Sequence, residues 1–271
     1  LINLNMVYGS ELSERERRGM ARQVFLHFGK VAAEFLKISA MSREEVDSYT
    51  ESVQGEEHLQ AALAAGKGVI LITGHLGNWE FLSRWLSAHG YQLTVVARRA
   101  NDPEAERLLS RTRSESGATV LSRGNAARQL LQTLKNNEIV ALLPDQNASD
   151  VVVPFFGVPT GTVDGPALIH LKTGAPLLFA WCTRMPQDRF RIIMERPEVV
   201  PSTGNREADC CAVMALINSR LEAQIRRSPA QWLWLHNRWK SSEPFWRLPD
   251  GEAPAKSGAA AGESAETVIV E

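Results

Sequence analysis

His75 and Glu80 are separated by four residues in the string Gly74-His75-Leu76-Gly77-Asn78-Trp79-Glu80. An imidazole titrates near neutral pH. A carboxylate that accepts from one ring nitrogen sets the tautomer and leaves the other nitrogen free as a base. The residue steps from His75 to Glu80 turn roughly 140° around a helix, so the two cannot share a helical face. They can meet only if His75 sits in a turn and Glu80 points back from the start of the helix that follows. Arg98 and Arg99, directly after the apolar run that ends at Ala97, form a second polar group, suited to phosphate or carboxylate recognition. Asp145-Gln146 is a third, directly after the apolar run Ile139–Leu143 and Pro144.

The elements that must hold these residues follow from the patterning. Val69–Ile72 is an uninterrupted apolar run, which reads as a strand buried on both faces of a parallel sheet. His75 then stands at a strand's carboxyl end, where open α/β sheets bind ligands. Strands are expected at 69–73, 92–97, 118–121, 138–143, 176–183 and 189–195, with helices at 78–88, 103–116, 124–135 and 164–173 between them. This alternation is the mark of a mostly parallel sheet flanked by helices. The last two strands are close enough for an antiparallel hairpin, and 207–227 reads as a long helix ended by Ser228-Pro229. Ahead of the sheet, residues 10–65 read as helical. Ser13 and Glu16 make a capping box for a helix over 10–38, Ser42 and Glu45 repeat it, and Glu56–Ala65 is a third helix. The 10–38 helix reads as packing over the sheet, or as facing a lipid monolayer with Arg15, Arg17, Arg18 and Arg22 near anionic headgroups.

With 271 residues, 44% hydrophobic and 23% charged, the chain reads as one α/β domain over 1–248. Residues 249–271, rich in Ala, Gly, Glu and Ser, read as a disordered tail. A net charge of −1 carries no nucleic-acid signature, and Cys182, Cys210 and Cys211 offer no disulfide framework. No Gly-x-Ser-x-Gly elbow, phosphate-binding loop, dinucleotide fingerprint or zinc spacing occurs. No metal or bound cofactor is expected. A lone base with its orienter remains.

The Gly74–Glu80 string resembles the His-x4-Asp/Glu box of glycerolipid acyltransferases, in the form found in bacterial lipid A biosynthesis (lauroyl/myristoyl) acyltransferases. Arg98-Arg99-Ala100-Asn101-Asp102-Pro103 and Arg113-Ser114-Glu115-Ser116-Gly117 are similar to that family's second motif. There, the resemblance implies, Arg98 and Arg113 hold substrate phosphate. Asp145-Gln146, with Pro154-Phe155-Phe156-Gly157-Val158-Pro159 and Thr162-x-x-Gly165, resembles its third and fourth boxes, although Thr160 and Asp164 depart from the pattern. Gln231–Lys240, with Arg238, resembles the family's closing segment. It also reads as an aromatic-rich helix packed on the sheet. The likeness spans roughly residues 3–247.

The resemblance implies an O-acyltransferase. It would move a fatty acyl chain from an acyl carrier protein or CoA thioester to a hydroxyl of a membrane glycolipid, either a lipid A precursor or a mannosylated phosphoinositide. A thioesterase using the same base is the alternative enzyme, and a lipid-binding module the alternative outside catalysis. His75 is the expected base and Glu80 its orienter. The backbone amides at Gly77 and Asn78 are the expected oxyanion donors. Arg98, Arg113, Asp145, Gln146, Phe155, Phe156, Gly157 and Arg238 are expected to contact substrate. With no evident covalent nucleophile, direct transfer is expected. The implied location is the cytoplasmic face of a bacterial inner membrane; members of the resembled family usually carry an N-terminal membrane anchor, and the sequence leaves the anchoring of this chain open.

Overall fold

The computed structural model describes residues 1–97, 102–122 and 126–242. Arg98 and the expected tail at 249–271 lie outside the described residues. The elements run α1 (Ile2–Tyr8), α2 (Glu14–Ser39), α3 (Arg43–Tyr49), β1 (Thr50–Gln54), α4 (Glu56–Ala64), β2 (Val69–Ile72), α5 (Trp79–Ala88) and β3 (Leu93–Ala97). They continue α6 (Pro103–Glu115), β4 (Thr119–Ser122), α7 (Ala126–Lys135), β5 (Ile139–Leu142), β6 (Val151–Phe155) and β7 (Val158–Thr162). The series closes with α8 (Gly165–Thr173), β8 (Leu177–Arg184), β9 (Phe190–Met194) and α9 (Arg206–Arg227). Both expected capping boxes are present, on Ser13 with Glu16 and on Ser42 with Glu45.

The main sheet has the order β1-β9-β8-β2-β5-β3-β4 and is parallel except where β8 meets β9. β2 is central, between β5 and β8, and all four of its side chains are buried. Alternate residues feed the two cores. Val69 and Leu71 join α3, α4 and α5 on one face, while Ile70 and Ile72 join α7, α8 and α9 on the other. After β2 the chain leaves through α5, and after β5 it leaves through the β6–β7 hairpin and α8. The connections from these neighbouring parallel strands therefore diverge to opposite faces. A crevice opens at their carboxyl ends.

Three stretches differ from the sequence reading. β1 is an edge strand with one aliphatic residue, Val53, so it carried no apolar run to recognise. Residues 151–162, not among the expected strands, form a hairpin; its turn places Phe156 (φ 51°) and Gly157 (φ 74°) in the left-handed region, as a two-residue turn of this kind requires. Residues 231–240 contain only short 3-10 turns, and their extended part pairs with the loop after β2.

Gly77 is the tightest point of that loop. Its φ is +63°, and a Cβ there would collide with the Cys182 carbonyl oxygen. Gly19, on α2, has nothing within 4 Å of the corresponding position. We therefore expect Gly77→Ala to lower stability by more than about 2 kcal/mol, while Gly19→Ala is neutral or gains up to about 1 kcal/mol. Urea denaturation of the two variants against the parent measures the contrast.

Candidate active site

The loop after β2 delivers His75, and the loop after β5 delivers its partner. The His75 backbone N–H donates to Asp145 Oδ2 at 2.7 Å, and Nδ1 lies 2.8 Å from Asp145 Oδ1. Trp232 Nε1 donates to the same Oδ2 at 2.9 Å. Asp145 is 2% exposed. Burial pushes its carboxyl up, but the neighbouring His75, the ring and backbone hydrogen bonds and the Trp232 indole outweigh this and hold it below the ordinary aspartate value. An ionised acceptor at Nδ1 requires the proton on Nδ1, leaving Nε2 as the free, basic nitrogen. The ring stands edge-on to Trp79, centroids 4.9 Å apart.

This corrects the sequence reading of Glu80. Its carboxylate does not reach the imidazole; Oε1 accepts from Trp79 Nε1 at 3.1 Å and from Arg113 Nη2 at 3.3 Å. The helix that starts at Trp79 turns Glu80 away from His75, and the orienter comes from another strand. Asp145 is therefore not a substrate contact either. The expected oxyanion amides are also engaged: Gly77 N–H donates to Gln231 O, and Asn78 N–H to Cys182 O, both at 2.9 Å. Asn78 instead caps α5 by accepting from Phe81 N–H, and its amide donates to Glu34 Oε2 on α2. Glu34 in turn receives a bidentate Arg184 guanidinium at 2.7 and 2.6 Å. The buried His27 contacts Gly77 O at 2.9 Å. α2 thus grips the loop carrying the base. His27 and Glu34 had no signal in the sequence, because a polar residue on a helix face does not reveal what it meets.

A cavity of about 240 Å³ opens at His75. Trp79, Glu80, Arg113 and Gln146 surround its mouth with His75. Its walls are apolar and run down between α5 and the sheet, past Leu71, Leu82, Val95 and Ala141 to Leu86 and Leu93. The wall follows β3 from Ala97 to Leu93, roughly 13 Å at the strand rise. α2 packs beside two of these residues, with Phe28 6.3 Å from Trp79 and the Phe35 ring 5.8 Å from the Arg113 guanidinium.

Gln146 and Arg113 line the cavity, whereas four other residues expected to contact substrate do not. Phe155 is fully buried against Trp232 and Trp239. Phe156 packs on Trp234 beside Arg226, and Gly157 completes the hairpin turn. Arg238 is fully buried; it donates to Gly161 O and to Thr162 Oγ1 and lies over the Phe155 ring. Burial brings its guanidinium down to about 10, opposed by the charge of Asp145. It braces the hairpin rather than facing substrate. Among the described residues, no three His, Cys, Asp or Glu side chains converge as metal ligands.

The chain matches the family model described as bacterial lipid A biosynthesis acyltransferase over residues 1–241. It is 29% identical to a phosphatidylinositol mannoside acyltransferase of Mycobacterium tuberculosis, covering 78% of this chain and 67% of the relative. It is 30% identical to the protein of that name from Mycolicibacterium smegmatis, covering 68% and 60%. It is 28% identical to a lipid A biosynthesis lauroyltransferase of Escherichia coli, covering 88% and 77%.

If Asp145 fixes the tautomer, Asp145→Asn should lower kcat by about 10²–10⁴-fold with little change in KM. Glu80→Gln, which keeps an acceptor for Trp79 and Arg113, should cost less than Asp145→Asn. Steady-state kinetics on both variants, with melting temperatures as the folding control, make the comparison.

Proposed function

The chain belongs to the family of bacterial lipid A biosynthesis acyltransferases, and from that premise we propose that it transfers a fatty acyl chain from a thioester to a hydroxyl of a membrane glycolipid. The observation that carries the reading is the His75–Asp145 pair at the polar mouth of an otherwise apolar cavity. The cavity takes the acyl chain, which places the thioester carbonyl at the mouth. His75 Nε2 removes the proton from the acceptor hydroxyl as its oxygen attacks that carbonyl. The tetrahedral intermediate expels the thiolate, which takes the proton back from the imidazolium. Asp145 stabilises that imidazolium. Transfer is direct: the one cysteine beside this loop, Cys182, is buried and its thiol is pushed far up by burial, so it supplies no thiolate. The donor is an acyl carrier protein or CoA thioester.

Two acceptors are proposed. The family match supports a lipid A precursor, and the mycobacterial relatives support a mannosylated phosphoinositide. Both carry phosphate, for which Arg113 and Arg98 are the proposed contacts.

The acceptor's lipid tails place the reaction at a membrane surface, proposed to be the cytoplasmic face of an inner membrane. No helix among the described residues is long and apolar enough to cross a bilayer. The outward face of α2 instead exposes Phe25 (62%), Leu26 (61%) and Leu36 (54%), with Arg15, Arg18 and Arg22 exposed along the same helix. Arg17 is not part of this face, because its guanidinium turns back to Leu12 O and Gly9 O. Such a face suits the boundary between headgroups and acyl chains of an anionic lipid layer.

His75→Ala should abolish transfer, losing at least about 10²–10⁴-fold while the fold persists; a folded variant with near-normal turnover would sink the mechanism. Parallel assays with a lipid A precursor and a mannosylated phosphoinositide identify the acceptor, and release of free fatty acid in place of an acylated lipid would establish a thioesterase. In flotation with vesicles containing anionic lipid, the protein should bind more weakly as salt rises. The double variant Phe25→Ser, Leu26→Ser should bind less at every salt concentration.

A further inference from the structure

Acyl transfer needs hydrogen-bond donors aimed where the carbonyl oxygen becomes an oxyanion. The backbone amides of residues 75–78 are committed elsewhere: His75 to Asp145, Leu76 to Gly74 O, Gly77 to Gln231 O and Asn78 to Cys182 O. The indole of Trp79 is held by Glu80, and that of Trp232 by Asp145. Gln146 differs. Its side-chain nitrogen lies 3.5 Å from His75 Nε2, the free nitrogen of the base, at the limit of hydrogen-bond distance, and its side chain lines the same cavity mouth.

The backbone on either side of Gln146 is fixed. Asp145 is held by the donors of His75 and Trp232. The Asn147 N–H donates to His236 Nε2 at 2.9 Å, and Asn147 Oδ1 accepts from the Ser241 backbone N–H and hydroxyl at 3.1 and 2.5 Å. A donor carried between two anchored residues is preorganised, which is the condition under which such a group contributes most.

Resting on the acyltransfer reading above, we propose that Gln146 is a catalytic residue whose side-chain amide donates to the oxyanion of the tetrahedral intermediate. A hydroxyl that docks on His75 Nε2 displaces the Gln146 amide from that nitrogen. The carbonyl under attack then stands one bond from the hydroxyl oxygen, within reach of the released N–H. No proton moves to or from Gln146. The amide supplies a hydrogen bond that strengthens as charge builds on the oxygen and relaxes when the thiolate leaves.

The test uses the full chain with lauroyl-CoA as donor and a detergent-dispersed glycolipid acceptor, comparing Gln146→Ala, Gln146→Glu and His75→Ala. Both Gln146 variants should lower kcat by about 10²–10³-fold with KM for lauroyl-CoA nearly unchanged. Gln146→Glu has the same shape, no donor and a negative charge beside the imidazole, which favours its protonated form. Its acid limb should therefore move to higher pH, and its plateau kcat should stay low. Recovery of the parent kcat on that plateau would show that Gln146 acts only through charge, and would overturn the proposal. So would a rise in KM with kcat intact, or turnover within threefold of the parent in a folded Gln146→Ala variant. In each of these cases an inactive His75→Ala leaves the acyltransfer reading standing. An active His75→Ala removes that reading itself.

Discussion

A buried carboxylate is tolerated only when its oxygens are fully served, and the arrangement around Asp145 follows from that constraint. Its acceptors face His75 through both ring and backbone and Trp232 through the indole nitrogen. The donors come from two distant stretches of the chain, so satisfying one ion fixes the loop after β2, the loop after β5 and the segment at 231–233 relative to one another. Removing either neighbour would leave charge in a medium of low polarity without compensation. The same bonds that keep the carboxylate ionised also keep the imidazole in the tautomer a base requires.

Six of the sheet's seven described strands, its mostly parallel character and the place of His75 at a strand's carboxyl end were legible because each rests on local pattern. Four aliphatic residues ahead of a Thr-Gly-His turn announce a buried strand and its functional end. The partner of His75 was not legible. Glu80 is near in sequence, but Asp145 is near in space, because β2 and β5 are hydrogen-bonded neighbours although α5, β3, α6, β4 and α7 intervene. Strand order is a tertiary property with no local mark. The assignments of Phe155 and Arg238 failed for a related reason: composition identifies an aromatic or a guanidinium but not whether it faces a cavity or a hairpin's interior. Arg113 and Gln146 do line the cavity, because both lie at the carboxyl side of the sheet, where the crevice opens.

α2 shows how a helix can carry unlike duties on its different faces. His27 and Glu34 hold the loop of His75 and the cap of α5, and Phe28 and Phe35 pack beside Trp79 and Arg113. The opposite side offers Phe25, Leu26 and Leu36 to the surroundings. The helix is thereby tied to the loop of His75 through Gly77 and Asn78.

The short antiparallel seam between residues 231–233 and the loop after β2 has a consequence for biosynthesis. Gly77 and Leu233 exchange backbone hydrogen bonds with Gln231 and His75, Trp232 reaches Asp145 across 87 residues, and Asn3 on α1 donates to the Trp234 and His236 carbonyls across more than 230. Such contacts close late, since the entropy of ordering the intervening chain must be met before they return anything. While the ribosome is still building α9, the nascent polypeptide can have a nearly complete sheet in which Asp145 still lacks the Trp232 donor and the loop of His75 still lacks the partner strand that seals it.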